Sequence, residues 1–227
     1  MTHWYNRFSL SNSKNRHLLL WLAGALFSQA LFIKFTSEVF EDEKIQNVDK
    51  AILHFIADNF RRPFLNGIAV DITALGSPVV LSILFIIVMG VLIIRKDSYG
   101  GFYFFTVVSG GVLWIEILKN IVSRPRPEII SHLVDVQGLS YPSGHSLGST
   151  VVYLAIGLLL CRQMESRKSI FLILLSAALI ISLICFSRLY LGVHYPSDVL
   201  SGVLFGLSWT LAVTAFFELR SSKKKYP

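Results

Sequence analysis

Two histidines, one aspartate and three cations are the residues of this chain that could do chemistry. His194 precedes Asp198 by four residues, one helical turn, so the carboxylate can face the imidazole. A carboxylate on one ring nitrogen fixes the tautomer and leaves the other nitrogen as a lone-pair nucleophile. His145 is then the free acid that can protonate a leaving alkoxide. Lys119, Arg126 and Arg188 would repel one another unless an anion lay between them. The turn Tyr141-Pro142-Ser143-Gly144-His145-Ser146 opens an apolar run, and the first amides of a helix starting there favour an anion. Ser143 and Gly144 are therefore candidate phosphate donors. Phosphate fits this set, because positioning and electrostatics supply most of the rate of phosphoryl transfer. Two His and one Asp could also hold a metal. Three neighbouring cations argue against it, and no cofactor is expected.

Such residues need elements to carry them, and the composition says which. Apolar residues make up 53% and charged residues 15% of the chain, where a soluble domain carries about 25% charge. The expected fold is an all-α polytopic membrane bundle of six transmembrane helices, a single domain over residues 1–227. The spans fall roughly at 18–39, 68–94, 100–122, 143–161, 170–186 and 196–217, each near the length a bilayer requires. The first reads as an uncleaved helix rather than a signal peptide. Gly76-Ser77-Pro78 predicts a break in the second, and Gly110-Gly111 in the third suits close helix approach. Between the first two spans, Val48, Ile52, Phe55, Ile56 and Phe60 recur at helical spacing. They predict an amphipathic helix that lies on the membrane or packs on its neighbours. Cys161 and Cys185 read as core packing.

Charge sets the orientation. The amino-terminal segment, residues 95–98, residues 162–168 and the tail together hold 12 Lys/Arg against Asp97, Glu165 and Glu218. Residues 38–66 hold 4 basic and 6 acidic side chains. Both termini are therefore expected in the cytoplasm, with the loops at 38–66, 123–141 and 187–195 outside. The net charge of +7 follows this pattern rather than a nucleic-acid surface. Orientation alone then places Lys119, Arg126, Ser143, Gly144, His145, Arg188, His194 and Asp198 on one face of the membrane. Ionisable residues at such depth are functional by default. Glu116, one turn before Lys119, is expected to pair with it. Arg124 is either a substrate contact or a solvated side chain, and His54, His132, Arg61 and Arg62 face solvent or headgroups. Asp71 has no assigned role.

The motifs resemble those of the type 2 phosphatidic acid phosphatase superfamily, in its membrane lipid phosphate phosphatase branch. Lys119, six residues, then Arg126-Pro127 resembles the first signature. Pro142-Ser143-Gly144-His145 is similar to the second. Ser187-Arg188, five residues, His194, three residues, Asp198 is similar to the third. The resemblance implies that His194 attacks phosphorus to form a phosphohistidine and that Asp198 orients it. His145 would protonate the leaving group and then activate water. Lys119, Arg126, Ser143, Gly144 and Arg188 would hold the phosphoryl oxygens, without a metal. Related haloperoxidases hold vanadate in a similar site, but their soluble helical bodies do not match this apolar chain.

The expected activity is dephosphorylation of a lipid phosphate or pyrophosphate at the outer leaflet. Phosphatidic acid, phosphatidylglycerol phosphate, undecaprenyl pyrophosphate and phosphorylated lipid A are the candidate substrates. The lipid is expected to enter sideways, near the third and fifth spans. The setting implied is a bacterial inner membrane, with no protein partner or nucleic acid required. Transfer of the phosphoryl group to another lipid is the alternative. An anion transporter is a third reading, opposed by charges that stop at one face.

Overall fold

The computed structural model of the protein describes residues 12–41 and 43–223. His3, Arg7, Asp42, Lys224 and Lys225 lie outside the described residues, as do the side chains of Lys14, Arg16, Glu41 and Lys223. Among the described residues the chain forms eight helices and no strand. These are α1 (Asn12–Glu41), α2 (Glu43–Phe60), α3 (Pro63–Ala74), α4 (Pro78–Ile94), α5 (Ser98–Val122), α6 (Gly144–Cys161), α7 (Arg167–Tyr190) and α8 (Pro196–Lys223). Five of them are long and apolar enough to cross a membrane, and α3 with α4 supplies a sixth, bent span.

That bend, 42°, falls at the Gly76-Ser77-Pro78 break and has local causes. Pro78 lacks the N–H that would continue the α3 ladder, and the Ser77 hydroxyl caps α4 by accepting from Val80 N. Gly76 is there because of its neighbours: a Cβ would lie 2.6 Å from Ile184 and 3.4 Å from the His145 ring. The break thus presses the second span against the fifth and against a site histidine.

Helix α6 is the axis of the bundle, packed on α4, α5, α7 and α8. Its contact with α8 is backbone-close, because a Cβ on Gly202 would lie 2.8 Å from the Ser143 carbonyl oxygen. Gly110, as its sequence context predicts, makes room for a neighbour; the indole of Trp209 lies across it. Side chains such as Ile86, Ile93 and Leu183 remain exposed on the outer surface, which suits a hydrocarbon solvent rather than water.

Two boundaries differ from expectation. Helix α7 continues to Tyr190, so Ser187 and Arg188 sit on its last turn rather than in a link. Helix α2 is amphipathic, but its inward stripe is Asp49, Leu53 and Ile56. Of the five predicted apolar positions only Ile56 is buried, while Val48, Ile52, Phe55 and Phe60 are exposed. The inward stripe packs on α7 and α8, and burying Leu53 and Ile56 contributes about 1.5–3 kcal/mol each relative to water.

Candidate active site

Four helix ends meet at one end of the bundle: the last turns of α5 and α7 and the first turns of α6 and α8. The loop 123–143 closes over them. It leaves α5 through Ser123, which has a left-handed φ of 50°. It is tied down by Ser140 N donating to Arg124 O at 2.8 Å and Leu133 N donating to Leu191 O at 3.0 Å. The α7–α8 link turns at Gly192, whose φ of +79° suits glycine.

His194 is at the centre and buried. The Arg126 guanidinium can only donate, so Nε2 of His194 accepts from its Nη1 at 3.2 Å. The proton must then reside on Nδ1. That nitrogen faces Ser140 Oγ at 3.2 Å and Asp198 Oδ2 at 3.6 Å. Ser140 donates in turn to Asp198 Oδ2 at 2.5 Å, so its hydroxyl bridges the imidazole and the carboxylate. Burial pushes the His194 imidazole from 6.5 down to about 4; Asp198 pulls it back up, and the Arg188 and Arg126 cations push it lower. The ring is neutral at pH 7, with a lone pair on Nε2. That is the protonation a nitrogen nucleophile requires.

Lys119, Arg126, Gly144, His145, Arg188 and His194 line one cavity of about 640 Å³. Arg126 is braced by the carbonyls of Gln137, Gly138 and Val193. Lys119 Nζ donates to Leu139 O at 2.9 Å. Arg188 donates to Thr73 Oγ1 at 2.8 Å, while its Nε is buried without a hydrogen-bond partner among the described residues. Each cation is held yet keeps donors free, which is what binding a multi-oxygen anion needs.

Several sequence expectations are corrected here. The Ser143 amide donates to the Asp198 carbonyl at 3.0 Å and its hydroxyl oxygen accepts from Ser146. Its amide is therefore not offered to an anion; Ser143 fixes α6 to α8, and Gly144 is the residue of this turn that reaches the cavity. Glu116 makes no ion pair with Lys119 within 4 Å among the described residues; it lines the same cavity. Arg61 is half-buried rather than free in solvent, and donates to Tyr190 O and Ser131 O. Arg124 neither touches the cavity nor faces water: it bridges Asp49 and Asp198. Asp71 is exposed on α3. Sequence reasoning missed Ser140 and Asp49. Asp49 carried one usable signal, a carboxylate in register with Leu53 and Ile56.

The apolar part of the cavity is built by other spans than the third and fifth alone. Its apolar walls are Leu81 and Phe85 of α4, Val108, Val112 and Ile115 of α5, and Val151 and Val152 of α6. It therefore lies between the second, third and fourth spans, and the fifth contributes only Arg188.

With the geometry in place, comparison with known proteins is decisive. The family model of the PAP2 superfamily matches residues 98–222, which hold Lys119, Arg126, Gly144, His145, Arg188 and His194 of the cavity. The chain belongs to the PAP2 superfamily. It is 33% identical over 192 residues to phosphatidylglycerophosphatase B of Bacillus subtilis, covering 83% of this chain and 92% of that protein. It is 31% identical over 128 residues to a lipid A 1-phosphatase of Rhizobium johnstonii, covering 51% of this chain and 46% of the relative. The crystal structure of a transmembrane PAP2 type phosphatidylglycerolphosphate phosphatase from Bacillus subtilis superposes with a TM-score of 0.79 at 27% identity. That match covers 89% of this chain and 97% of the crystallised one. This PAP2 protein is accordingly a multi-pass membrane enzyme, and its hydrolase class is that of its family.

Proposed function

We propose that this protein, a membrane lipid phosphatase of the PAP2 superfamily, removes a terminal phosphate from a lipid through a phosphohistidine at His194. The observation that carries the reading is a neutral, buried histidine whose Nε2 lone pair faces Arg126 in a cavity with three cations at its head and apolar walls below; a phosphate that takes over that Arg126 donor frees the lone pair for attack. The phosphate sits among Lys119, Arg126, Arg188 and Gly144, and the acyl chains lie along Leu81, Phe85 and Val112. Nε2 forms a bond to phosphorus as the P–O bond to the lipid breaks, and His145, charged as the imidazolium beside the bound phosphate dianion, delivers its proton to the departing oxygen. His145 then takes a proton from water as that water attacks the phosphohistidine, releasing phosphate and freeing Nε2.

Phosphatidylglycerol phosphate is the favoured substrate, because the relatives matched over most of this chain carry that activity in their names. The whole chain acts as one domain. The site opens to the outer face of a bacterial inner membrane with both termini inside, a reading supported by the bias of Lys and Arg toward the opposite loops. The test is phosphate release by purified protein from phosphatidylglycerol phosphate, phosphatidic acid, undecaprenyl pyrophosphate and phosphorylated lipid A, with lipid products resolved. Release of phosphate from the first at the highest kcat/KM supports the reading. Recovery of the label on a second lipid instead of in free phosphate would show transfer, and no turnover of any of the four would refute it. A cysteine placed at Gln137 should react with a membrane-impermeant thiol reagent added to intact cells; protection there with labelling only after lysis contradicts the orientation.

A further inference from the structure

Behind the cavity lies a charged network that phosphate binding does not use. Asp49 on α2 is 2% exposed. Its Oδ1 accepts from the Ser197 amide at 2.9 Å, and its Oδ2 accepts from Ser197 Oγ at 2.5 Å and from Arg124 Nη2 at 2.9 Å. The other terminal nitrogen of Arg124, Nη1, donates to Asp198 Oδ1 at 2.6 Å and to Ser197 Oγ at 2.7 Å. The guanidinium carbon lies 4.2 Å from the Tyr195 ring centroid. One planar group thus joins two carboxylates that are 149 residues apart in the chain.

We propose that Arg124 and Asp49 are positioning residues that hold Asp198, and through it His194, in the attacking geometry. The proposal rests on the reading that His194 attacks and Asp198 orients it. Asp198 Oδ2 serves the histidine side, through Ser140 and the Tyr195 amide. Oδ1 is left with Arg124 as its partner. Without Arg124 the carboxylate is a buried anion with one oxygen unpaired, close to the cations of the phosphate cradle. It would turn toward them, losing the Ser140 bridge and competing with substrate phosphate. Asp49 fixes Arg124 from behind and holds the Ser197 amide in the first turn of α8. The ends of the fork must both be engaged, so Lys is a poor substitute for Arg here.

A plain structural staple between α2 and α8 would give the same ion pairs, so the test must separate the two. Full-length protein in lipid vesicles is assayed for kcat, KM and thermal unfolding midpoint as wild type, Arg124→Gln, Arg124→Lys and Asp49→Asn. Arg124→Gln is also made in an Asp198→Asn background. Arg124→Gln should lower kcat by about thirtyfold with KM changed less than about threefold, and Arg124→Lys should recover part of that loss. Asp49→Asn keeps an acceptor for the Ser197 amide; it should fold normally and lower kcat by about tenfold. In the Asp198→Asn background, Arg124→Gln should cost less than about threefold, since its target is already disabled. Equal loss on both backgrounds, or a kcat loss that tracks the unfolding midpoint, overturns the positioning role. Wild-type turnover by Arg124→Gln and Asp49→Asn together with a disabled Asp198→Asn overturns it too, while leaving the His194–Asp198 reading intact. Full turnover by Asp198→Asn alone overturns both.

Discussion

His194 and His145 line the same cavity in opposite surroundings. His194 is held on both nitrogens: Arg126 on Nε2, Ser140 and Asp198 on the Nδ1 side. Behind it the network continues through Arg124 to Asp49. The His145 imidazole has no hydrogen-bond partner among the described residues and rests against the Gly76 backbone at the span break. A group that must form a bond along one direction gains from being fixed before substrate arrives. A group that moves a proton first to a leaving oxygen and then from water gains from having its ring nitrogens uncommitted to protein partners. The cations divide in the same way. Arg126 is braced by three carbonyls, whereas Arg188 Nε is buried with no hydrogen-bond partner among the described residues.

The comparison can be broken most forcefully on the His194 side. His194→Ala should lower kcat by more than about a thousandfold on every substrate, good leaving group or bad, because a covalent nucleophile is lost. His145→Asn should cost about a hundredfold or more on a lipid alkoxide and much less on an activated aryl phosphate, which needs no proton to leave. An equal loss on both substrates would place His145 outside proton transfer.

Smaller effects sharpen the picture. Leu81→Trp narrows the apolar wall between the second and third spans. It should reduce lipid turnover by about tenfold while sparing a water-soluble phosphate ester, as loss of well-fitted substrate positioning predicts. Equal rates on the lipid would move the acyl path elsewhere. Arg126→Gln removes a cation that holds the His194 pKa down. The acid limb of its kcat/KM profile should therefore move to higher pH, by less than about one unit. A shift to lower pH contradicts the assignment. His194 also makes a stability prediction. Its folded pKa of about 4 lies below the ordinary 6.5, so the folded state resists protonation. The contribution is fully present above pH 6.5 and is lost as pH falls toward 4. The His194→Gln protein should show a flatter thermal-midpoint profile across that window.

What the sequence made legible, and what it hid, follows the range of each interaction. Spans are read from runs of local hydropathy, so α5 and α6 fall within two residues of their predicted bounds, while α7 and α8 run past their predicted ends because helix continues beyond the apolar run. The His194–Asp198 pairing spans only four residues and was visible for the same reason, although His194 lies in the link ahead of α8 rather than on its first turn. Pairings made by packing were not. Ser140 meets Asp198 across 58 residues, and Arg124 meets Asp49 across 75, so nothing local distinguishes them from solvated polar residues. The Ser143 amide looked like an anion donor because a helix start exposes its amides. Only the close approach of α8 at Gly202 shows that the Asp198 carbonyl already occupies it. The walls of the cavity were hidden for a related reason, since a cavity is a property of three spans at once and no one of them announces it.

The central claim is that His194 carries the phosphoryl group. Purified protein is mixed with phosphatidylglycerol phosphate labelled on its terminal phosphate, quenched in alkali within one turnover and digested for peptide mass spectrometry. An acid-labile phosphoryl group on His194, formed as fast as lipid is consumed and absent in His194→Ala, is the predicted result. Label on His145, or turnover with no labelled histidine at any quench time, would contradict the account.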